Sequence, residues 1–501
     1  MWDFFSDNGL RERRFIVVVC FFAMIRIFLL NAAYPVFTPV DEVQHFDTIV
    51  KHAQGQIFKQ GNIHFNLNPW SAKMWVLYGS PEYMHDVPKD TVPPYRVMND
   101  SVADATAKKL VGILPNHEIH SPPLYYFIAG QWLNIGNRLI SNDGFLLYWL
   151  RFINVPFYGL LVWLTYLSGK KIFPEETALR IGLPMILAVF PNDIFFSLNS
   201  DCFSPLFCLI ALYLLFRIAT GEQSVLYYTF TGLAIAATLL VKLTNFPVFT
   251  VSVGIVMMLL YRRLRAKNET VYAWHFTACM IAALLPVLMW MWWNVSALGD
   301  VMGVASKMKV FAITNKPFPE WFNHPMFTID GLNAVATNVN ILIDSFWHGE
   351  VVWGMRTTAP YAADLFYSAT SVLFITAACV KLYATRSNFR SSKYLIRLSS
   401  ALLLILYVGF LMVLSIKFDF GHSHDPSREN PFFNKGRFII GGLVPFLILY
   451  VDGLLYVLEK TRLKINPLVP IGAICLIVIT FSIISTYGIF GSAWNWFHLF
   501  L

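Results

Sequence analysis

Two adjacent carboxylates, Asp41 and Glu42, follow the first long apolar stretch of a chain that is otherwise short of charge. A carboxylate held at a membrane surface could accept the proton of an attacking hydroxyl group or coordinate a divalent cation. The surrounding sequence, FTPVDEVQHFDTIVKHAQG, also has the form of a helix that is capped at Thr38 and stops near Gly55. An acid in the first turn of such a helix would stabilise it without doing any chemistry. Capping and catalysis are both open for this pair.

The predicted helix is amphipathic. Apolar residues from Val40 to Ala53 recur at helical spacing, which predicts a helix that lies on the bilayer with its polar face outward. The residues of that polar face, at steps of three or four, are Asp41, His45, Thr48 and His52.

A third carboxylate and three cations stand at the ends of apolar stretches. Asp201 lies in a short connection, where a charge near hydrocarbon is costly unless it caps a helix or serves a function. Lys242 could pair with Asp41 or Asp201, bind a phosphate, or extend along the lipid surface. Lys435 and Arg437 precede a helix start, where cations oppose the helix dipole. A bound phosphate would explain this last pair, because guanidinium groups bind phosphate oxygens in a bidentate fashion.

The loops carry weaker candidates. His422, His424 and Asp425 could bind a transition metal, although an i, i+2 histidine pair in a loop is more often solvated. His120 could orient an acceptor or cap the helix that is predicted after it. Four further side chains could bind a sugar or anchor the chain at the membrane interface: Trp347, His348, Glu350 and Trp353.

Composition identifies the class of protein. Of the 501 residues, 56% are hydrophobic and only 14% are charged, whereas soluble domains carry about 25% charged residues. We therefore expect an all-α, polytopic membrane protein. Its net charge of +8 is spread over short loops, which argues against nucleic-acid binding. The six cysteines show no metal-ligand spacing.

Apolar windows long enough to cross a bilayer predict about eleven transmembrane helices. The windows are 14–34, 145–168, 179–198, 202–218, 225–243, 246–262, 273–295, 363–383, 397–416, 437–457 and 467–487. A further apolar segment, 120–140, is broken by polar residues. If that segment does not cross, all five basic connections share the side of the N-terminus, as cytoplasmic loops do. These connections are Arg11–Arg14, Lys170–Lys171, 261–267, 381–397 and 459–464. The charge pattern therefore predicts a cytoplasmic N-terminus and a surface position for 120–140.

This topology forms one domain, residues 1–501, with three long segments on the outer side of the membrane: 35–144, 296–362 and 417–436. The first is the largest and carries the predicted surface helices. The candidate carboxylates and cations all fall on this outer side, where the charge rule gives the cations no reason to be. We therefore expect a multi-pass inner-membrane protein whose site faces away from the cytoplasm.

Together these features resemble the GT-C superfamily of integral-membrane glycosyltransferases. The shared features are an Asp-Glu pair that opens the first outer loop, a His-x-Pro-Pro-Leu-Tyr-Tyr surface segment, an aspartate in the second outer loop and eleven spans. Protein O-mannosyltransferases, the lipid A aminoarabinose transferase and oligosaccharyltransferases have this plan. The stretches TPVDEVQHFDTIVKHAQGQIF, SPPLYYFIAG and NKGRFIIGGLVPFL more closely resemble a group of bacterial polytopic proteins that show Pro-Asp-Glu-x-x-His, Pro-Pro-x-Tyr-Tyr and Gln-Gly-Arg-Tyr. The sequence departs from that pattern at Val40, Lys435 and Phe438, which stand for proline, glutamine and tyrosine.

The resemblance implies a polyprenyl-phosphate-linked sugar as donor and, in some members, a divalent cation. The implied catalytic carboxylates are Asp41 as general base, Glu42 as a residue that binds or orients the acceptor, and Asp201 near the reaction centre. The donor phosphate would be held by Lys242, Lys435 and Arg437. The acceptor would be oriented by His45, His120 and Tyr125. One base and a cationic clamp suffice, because a phosphate leaving group needs little protonation when cations stabilise its charge.

The leading hypothesis is an inverting glycosyltransferase that acts on a glycan, lipid or protein acceptor of the cell envelope. A transporter or flippase of a lipid-linked sugar would use the same cations without breaking a bond. The absence of an internal repeat and the scarcity of charge within the spans argue against it. A structural partner in envelope polymer assembly would need no catalytic carboxylate.

Overall fold

The computed structural model describes residues 9–38, 41–56, 66–81, 92–265, 271–329, 331–350, 352–353, 356–357, 359–388 and 391–499. Its secondary structure is almost entirely helical, so the predicted all-α fold class is confirmed. The α-helices in chain order are α1 Gly9–Ala33, α2 Glu42–Ala53, α3 Pro69–Tyr78, α4 Pro94–Val97, α5 Asp100–Ile113, α6 Pro123–Leu139, α7 Asp143–Arg151, α8 Asn154–Ile172, α9 Leu183–Val189, α10 Ser204–Ala219, α11 Val225–Val241, α12 Phe246–Arg265, α13 Val271–Leu298, α14 Ala305–Val310, α15 Gly331–His348, α16 Tyr361–Ala384, α17 Ser392–Lys417, α18 Leu443–Lys460 and α19 Leu468–Thr486. Four two-residue strands form two antiparallel pairs, β1 Thr314–Asn315 with β4 Phe418–Asp419, and β2 Val352–Trp353 with β3 Arg356–Thr357.

Nine helical segments among the described residues are long and apolar enough to cross a membrane. They are Gly9–Ala33, Asp143–Ile172, Ser200–Ala219, Leu243–Arg265, Ala273–Ala297, Tyr361–Ala384, Ser392–Lys417, Gly436–Lys460 and Leu468–His498. Two shorter apolar helices, Ala178–Val189 and Val225–Val241, occupy the remaining predicted windows. The chain is therefore a multi-pass membrane protein, and each of the predicted windows contains apolar helix.

The first of the short helices stops at a proline. A π-helical turn, Ala178–Gly182, leads into α9, and α9 ends at Val189. The ring of Pro191 disfavours the helical region for the preceding residue, and Phe190 accordingly has φ −57° and ψ 123°. Its carbonyl oxygen accepts a hydrogen bond of 3.0 Å from the guanidinium of Arg26 in α1. A charged side chain of one apolar helix thus donates the hydrogen bond that the carbonyl group at the end of another helix needs.

In the first long connecting segment, α2 is enclosed by its neighbours. The helix ends before Gly55, which has φ +64°, so the predicted stop is confirmed. Its predicted outward face is buried, including His45, Thr48 and His52. α6 covers this face, and Nδ1 of His45 lies 2.7 Å from the hydroxyl of Tyr126. The prediction of an exposed polar face is wrong, because helical spacing does not reveal that a second amphipathic helix covers the first.

The covering helix, α6, corresponds to the segment 120–140 that was predicted to stay on the surface. With 17 residues it is not among the candidate spans of the described chain, which agrees with that prediction. It approaches α2 closely at Gly130, where a Cβ atom would lie 3.0 Å from the backbone nitrogen of Ala53. The two helices therefore form one layer at the end of the bundle.

α18 lies at the centre of the helix bundle. Every residue from Leu443 to Leu454 is buried. Gly453 packs so closely on α16 that a Cβ atom would overlap the carbonyl oxygen of Phe374. The 3₁₀ helix Gly436–Gly442 before α18 is held separately, because Gly436 packs on the backbone of Phe346 in α15.

Gly453→Ala is expected to destabilise the protein by about 1–3 kcal/mol, because the added methyl group forces α16 and α18 apart. Gly472→Ala in α19 is the matched control, since no atom lies within 4 Å of the Cβ it would add and alanine is the better helix former. Melting temperatures of the purified variants in detergent, followed by tryptophan fluorescence, should fall only for Gly453→Ala. Equal melting temperatures would contradict the close contact.

Candidate active site

Seven charged side chains from separate parts of the chain meet at one end of the helix bundle. They are Asp41, Glu118, Asp201, Glu350, Lys242, Lys307 and Arg437, and they are called the charge cluster below. The charge of Arg437 interacts with all four of the carboxylates. Most of them lie at the ends of helices: Asp41 after α1, Asp201 before α10, Lys242 at the end of α11 and Arg437 just before α18. Because these positions are far apart in the sequence, only the tertiary fold brings the side chains together.

Asp41 lies at the start of α2 in a left-handed backbone conformation, φ 61° and ψ 8°. Among non-glycine residues, aspartate and asparagine adopt this region most readily. Its side chain makes no capping hydrogen bond, and because α2 begins at Glu42 while the hydroxyl of Thr38 donates to the carbonyl of Pro35, the predicted cap at Thr38 is wrong. Instead Oδ1 lies 3.3 Å from Nε2 of His117, and Oδ2 lies 3.7 Å from a guanidinium nitrogen of Arg437. With 22% of its side chain exposed, Asp41 can meet a ligand.

The neighbouring cations keep the carboxylates of Asp41 and Glu118 ionised. Burial would raise the pKa of Asp41, but contact with His117 and the charges of Lys307 and Arg437 outweigh burial and hold that pKa below its usual range. Burial likewise opposes ionisation of Glu118, and the charge of Lys307 leads the effects that lower its pKa well below the usual range. Both side chains therefore carry a negative charge at neutral pH.

Glu42, which was predicted to bind or orient the acceptor, is fully buried in an ion pair with Arg151. The two carboxylate–guanidinium hydrogen bonds measure 2.7 and 2.5 Å. The carboxylate also accepts hydrogen bonds from the backbone N–H groups of Phe37 and Leu198, at 2.6 and 2.9 Å. Arg151 in turn donates to the carbonyl of Pro35 at the exit of α1. Glu42 is thus held in an internal ion pair beside Asp41 in the chain, with its carboxylate buried away from the surface.

Asp201 is buried and pairs with Lys242 at 3.2 Å, which is one of the alternatives predicted for that lysine. Neither of its oxygens accepts a hydrogen bond from the described residues. The buried hydroxyl of Tyr125, close enough to interact with the charge of Asp201, has no hydrogen-bond partner there either. Buried polar groups are nearly always hydrogen-bonded. Buried polar atoms that make no hydrogen bond, in and beside the charge cluster, therefore indicate a place for a polar ligand or water.

The three cations predicted to bind a phosphate do not all lie together. Lys242 and Arg437 belong to the charge cluster, and Nε of Arg437 lies 3.1 Å from Glu350. Lys435 instead forms an ion pair of 2.6 Å with Asp425, whose side chain is 43% exposed. Two of the three predicted cations thus belong to the charge cluster, where Arg437 faces Asp41 and Lys242 faces Asp201, and the third pairs with Asp425 outside it.

Four residues of this region were not predicted from the sequence, or were predicted to have another role: His117, Glu118, Lys307 and Glu350. Glu118 accepts hydrogen bonds from the hydroxyl of Ser121 and, at 2.5 Å, from Nζ of Lys307. The stretch NHEIH, which places His117 and Glu118 before α6, offered a signal because it groups titratable residues in the first long connecting segment. Lys307 offered none, since it stands 189 residues away from Glu118 in an unremarked loop. Glu350 was considered only for sugar binding.

Comparison with known proteins places the chain in a family. A family model described as "Predicted membrane protein (DUF2142)" matches residues 21–422. The chain belongs to the DUF2142 family. A crystal structure of the Archaeoglobus fulgidus oligosaccharyltransferase, in complex with Zn and sulfate, resembles the DUF2142 protein over 94% of the latter's chain, with 12% identity and a TM-score of 0.45. The match covers 53% of the archaeal chain, so the DUF2142 protein spans about half its length. No curated protein matches significantly.

The described part of the DUF2142 protein contains one group that could hold a metal ion. Its ligand atoms lie within 4.8 Å of one another and belong to Asp41, His117 and Glu118. The loop candidates His422, His424 and Asp425 do not form such a group. Both of these histidines are exposed, and Asp425 is already paired with Lys435. The weak prediction of a metal site in that loop is therefore corrected.

The acceptor-orienting candidates lie under the surface of the DUF2142 protein. Burial lowers the pKa of His45 to about 4, so its imidazole is neutral at neutral pH. His120 is buried, and Gly303 of the loop before α14 packs on its carbonyl oxygen. Tyr125 is also buried. Of these three side chains, His45 and Tyr125 both lie close enough to Asp201 to interact with its charge.

In the aromatic segment before β2, the ring of Trp347 packs in the protein interior. Trp347 is fully buried, stacks on Tyr367 at 4.9 Å and donates a hydrogen bond to Ser371. Its ring is therefore unavailable to a sugar. His348 lies 2.9 Å from Asp364. The side chain of the fourth candidate, at position 353, lies outside the described part of the structure.

Proposed function

We propose that the DUF2142 protein is an inverting glycosyltransferase. It moves a sugar from a polyprenyl-phosphate-linked donor to a hydroxyl group of a cell-envelope acceptor, on the outer face of the inner membrane, within a GT-C-like fold. The observation that carries the proposal is the ionised, partly exposed carboxylate of Asp41 beside the cation Arg437. A base next to a cation is what displacement of a phosphate leaving group requires.

In the proposed reaction, the acceptor hydroxyl attacks the anomeric carbon of the donor sugar from the face opposite the phosphate. Asp41 accepts the hydroxyl proton as the new carbon–oxygen bond forms. The bond between the anomeric carbon and the phosphate oxygen breaks, its electron pair leaves with the polyprenyl phosphate, and the configuration at the carbon inverts. Arg437 and Lys242 stabilise the charge that develops on the leaving phosphate.

The pairing within the charge cluster supports this division of roles. Arg437 lies between Asp41 and Glu350, at 3.7 and 3.1 Å. A phosphate bound to Arg437 would offset the positive charge felt by Asp41 and so raise the pKa of that carboxylate. Asp41 would become a better proton acceptor once the donor is bound. The oxygens of Asp201, which accept no hydrogen bond from the described residues, would accept hydrogen bonds from sugar hydroxyls.

Arg437→Gln is expected to lower sugar transfer about 100-fold or more, because it removes a charge that stabilises the leaving phosphate. Lys435→Gln is the matched control, since Lys435 is paired with Asp425 outside the charge cluster, and it should retain activity. The assay adds purified enzyme to membranes of a host strain that lacks the gene. It supplies a panel of labelled polyprenyl-phosphate sugars and measures labelled product and released polyprenyl phosphate.

Two results would contradict the proposal. Equal activity of Arg437→Gln and Lys435→Gln would remove Arg437 from the phosphate site. Movement of an intact labelled donor across protein-containing vesicles, without release of polyprenyl phosphate, would favour the transporter.

A further inference from the structure

The three ligand atoms of Asp41, His117 and Glu118 surround a position where a cation belongs. They lie within 4.8 Å of one another. Nε2 of His117 is buried, faces Asp41 and makes no hydrogen bond of good geometry with the described residues. Two carboxylates so close together repel each other unless a cation lies between them. This group is called the triad below.

The protein supplies a cation of its own to the triad. Nζ of Lys307 lies 2.5 Å from Oε1 of Glu118, whose side chain is only 4% exposed. The charge of Lys307 also acts on Asp41. The neighbouring lysine on the same short helix, Lys309, is exposed. One of two lysines two positions apart is thus directed at the carboxylates.

The loop around Lys307 is built to hold it there. The carboxylate of Asp300 accepts hydrogen bonds from the backbone N–H groups of Val304 and Ala305, at 2.5 and 2.8 Å, and so fixes the start of α14. Gly303, at φ +67°, packs on the carbonyl oxygen of His120, where a Cβ atom would lie 2.7 Å away. A side chain at this position would push the loop outward.

The other end of α14 is held as well. The ring of Phe311 packs edge-on against His117, with 5.2 Å between the centroids. The carbonyl of Phe311 accepts a hydrogen bond from the backbone N–H of His422 at 2.8 Å. Because β1 pairs with β4 just beyond, α14 is attached to a second outer loop.

We infer that Lys307 is the resident cation of the triad and that its ammonium group excludes a divalent metal ion from that position. The ligand set, two carboxylate oxygens and an imidazole nitrogen, suits Mn²⁺ or Zn²⁺. With Lys307 present, the positive charge that the carboxylates need is already there. When Lys307 is removed, a divalent ion can bind and neutralise the two carboxylates of the triad. The claim about metal binding does not depend on the proposed function. The further claim, that the charge of Lys307 replaces a metal ion during sugar transfer, rests on the proposed function.

The test is a Mn²⁺ titration of the purified full-length protein, followed by electron paramagnetic resonance. Lys307→Met should bind one Mn²⁺ about tenfold or more tightly than the parent protein, because removal of one nearby charge leaves the triad negative. Lys309→Met, on the exposed side of α14, should bind like the parent. Adding His117→Ala to Lys307→Met should abolish the gained site.

Other outcomes would overturn the inference. A parent protein that binds one Mn²⁺ as tightly as Lys307→Met shows that the lysine excludes nothing. A folded Lys307→Met that gains no site shows that the triad is not a metal position. Lys307→Arg and Lys307→Gln, compared by the same titration after their melting curves are recorded, repeat the comparison if methionine prevents folding: only glutamine should gain the site.

The catalytic part has a separate readout. Transfer by the parent enzyme should be unaffected by EDTA, while transfer by Lys307→Gln should become dependent on added Mn²⁺. Loss of parent activity on chelation would overturn the catalytic role of Lys307. If no transfer is detected with any variant, the proposed function fails, and the Mn²⁺ titration still decides the binding claim.

Discussion

Asp41→Asn should abolish sugar transfer, with a loss of about 10²–10⁴-fold, while the protein remains folded. The size of the effect is that of a general base removed from its reaction. The substitution is well matched, because asparagine has nearly the same shape and, like aspartate, tolerates the left-handed conformation at φ 61°. The backbone at the start of α2 should therefore stay as it is. Initial rates of labelled product formation at saturating donor measure the loss.

Asp104→Asn serves as the control for this experiment. Asp104 is an exposed carboxylate of α5 in the same connecting segment, and its only recorded ion pair in the described structure is with Lys73, at 3.0 Å. Its removal should leave transfer within about twofold, since surface ion pairs contribute little. A folded Asp41→Asn protein with full activity would end the assignment of Asp41 as the base.

Breaking the pair between Glu42 and Arg151 should destabilise the protein more than any other single change considered. Either Glu42→Gln or Arg151→Met leaves an uncompensated charge in the interior, at a cost of about 3–5 kcal/mol. Both side chains are fully buried. Thermal unfolding in detergent, scored by size-exclusion chromatography after heating, should show loss of monodisperse protein at lower temperature for both variants.

The double variant gives the sharper measurement. Glu42→Gln combined with Arg151→Met removes both charges, so its destabilisation should be smaller than the sum of the single effects. Arg428→Met is the surface control: Arg428 pairs with Asp419 at 2.7 Å but is 61% exposed. Strict additivity in the double variant, or equal losses at positions 151 and 428, would contradict a buried, coupled pair.

Features that depend on local composition could be predicted from the sequence. Each apolar window became apolar helix, and Gly55 stopped α2 as its conformational freedom suggested. The end of α9 was missed, although Phe190 and Pro191 carried the signal, because hydropathy continues through the break. Composition reports how apolar a stretch is, and proline decides where its helix stops.

Features that depend on a distant partner could not be predicted. Arg151 stands 109 residues from Glu42, and no pattern in the sequence around either residue predicts their ion pair. The polar face of α2 looked like a surface because α6 was needed to cover it. Lys435 and Arg437 looked equivalent in sequence, yet they pair with Asp425 and Glu350 on different sides of one backbone turn. Asp41 and Asp201 were candidates by residue type, whereas Glu118 was recognised only from the fold.

Because Arg151 is bound to the exit of α1, the length of that helix sets where the site lies along the helix axis. Its 25 residues measure about 37 Å at 1.5 Å per residue, which is enough to cross the hydrocarbon and reach the headgroups. Through Pro35, Arg151 and Glu42, the carboxylate of Asp41 is set at the top of this length. Where α1 crosses the bilayer, its length would then set the height of Asp41 above the bilayer centre. A lipid-anchored phosphate, which cannot leave the headgroup plane, would meet the carboxylate at that height.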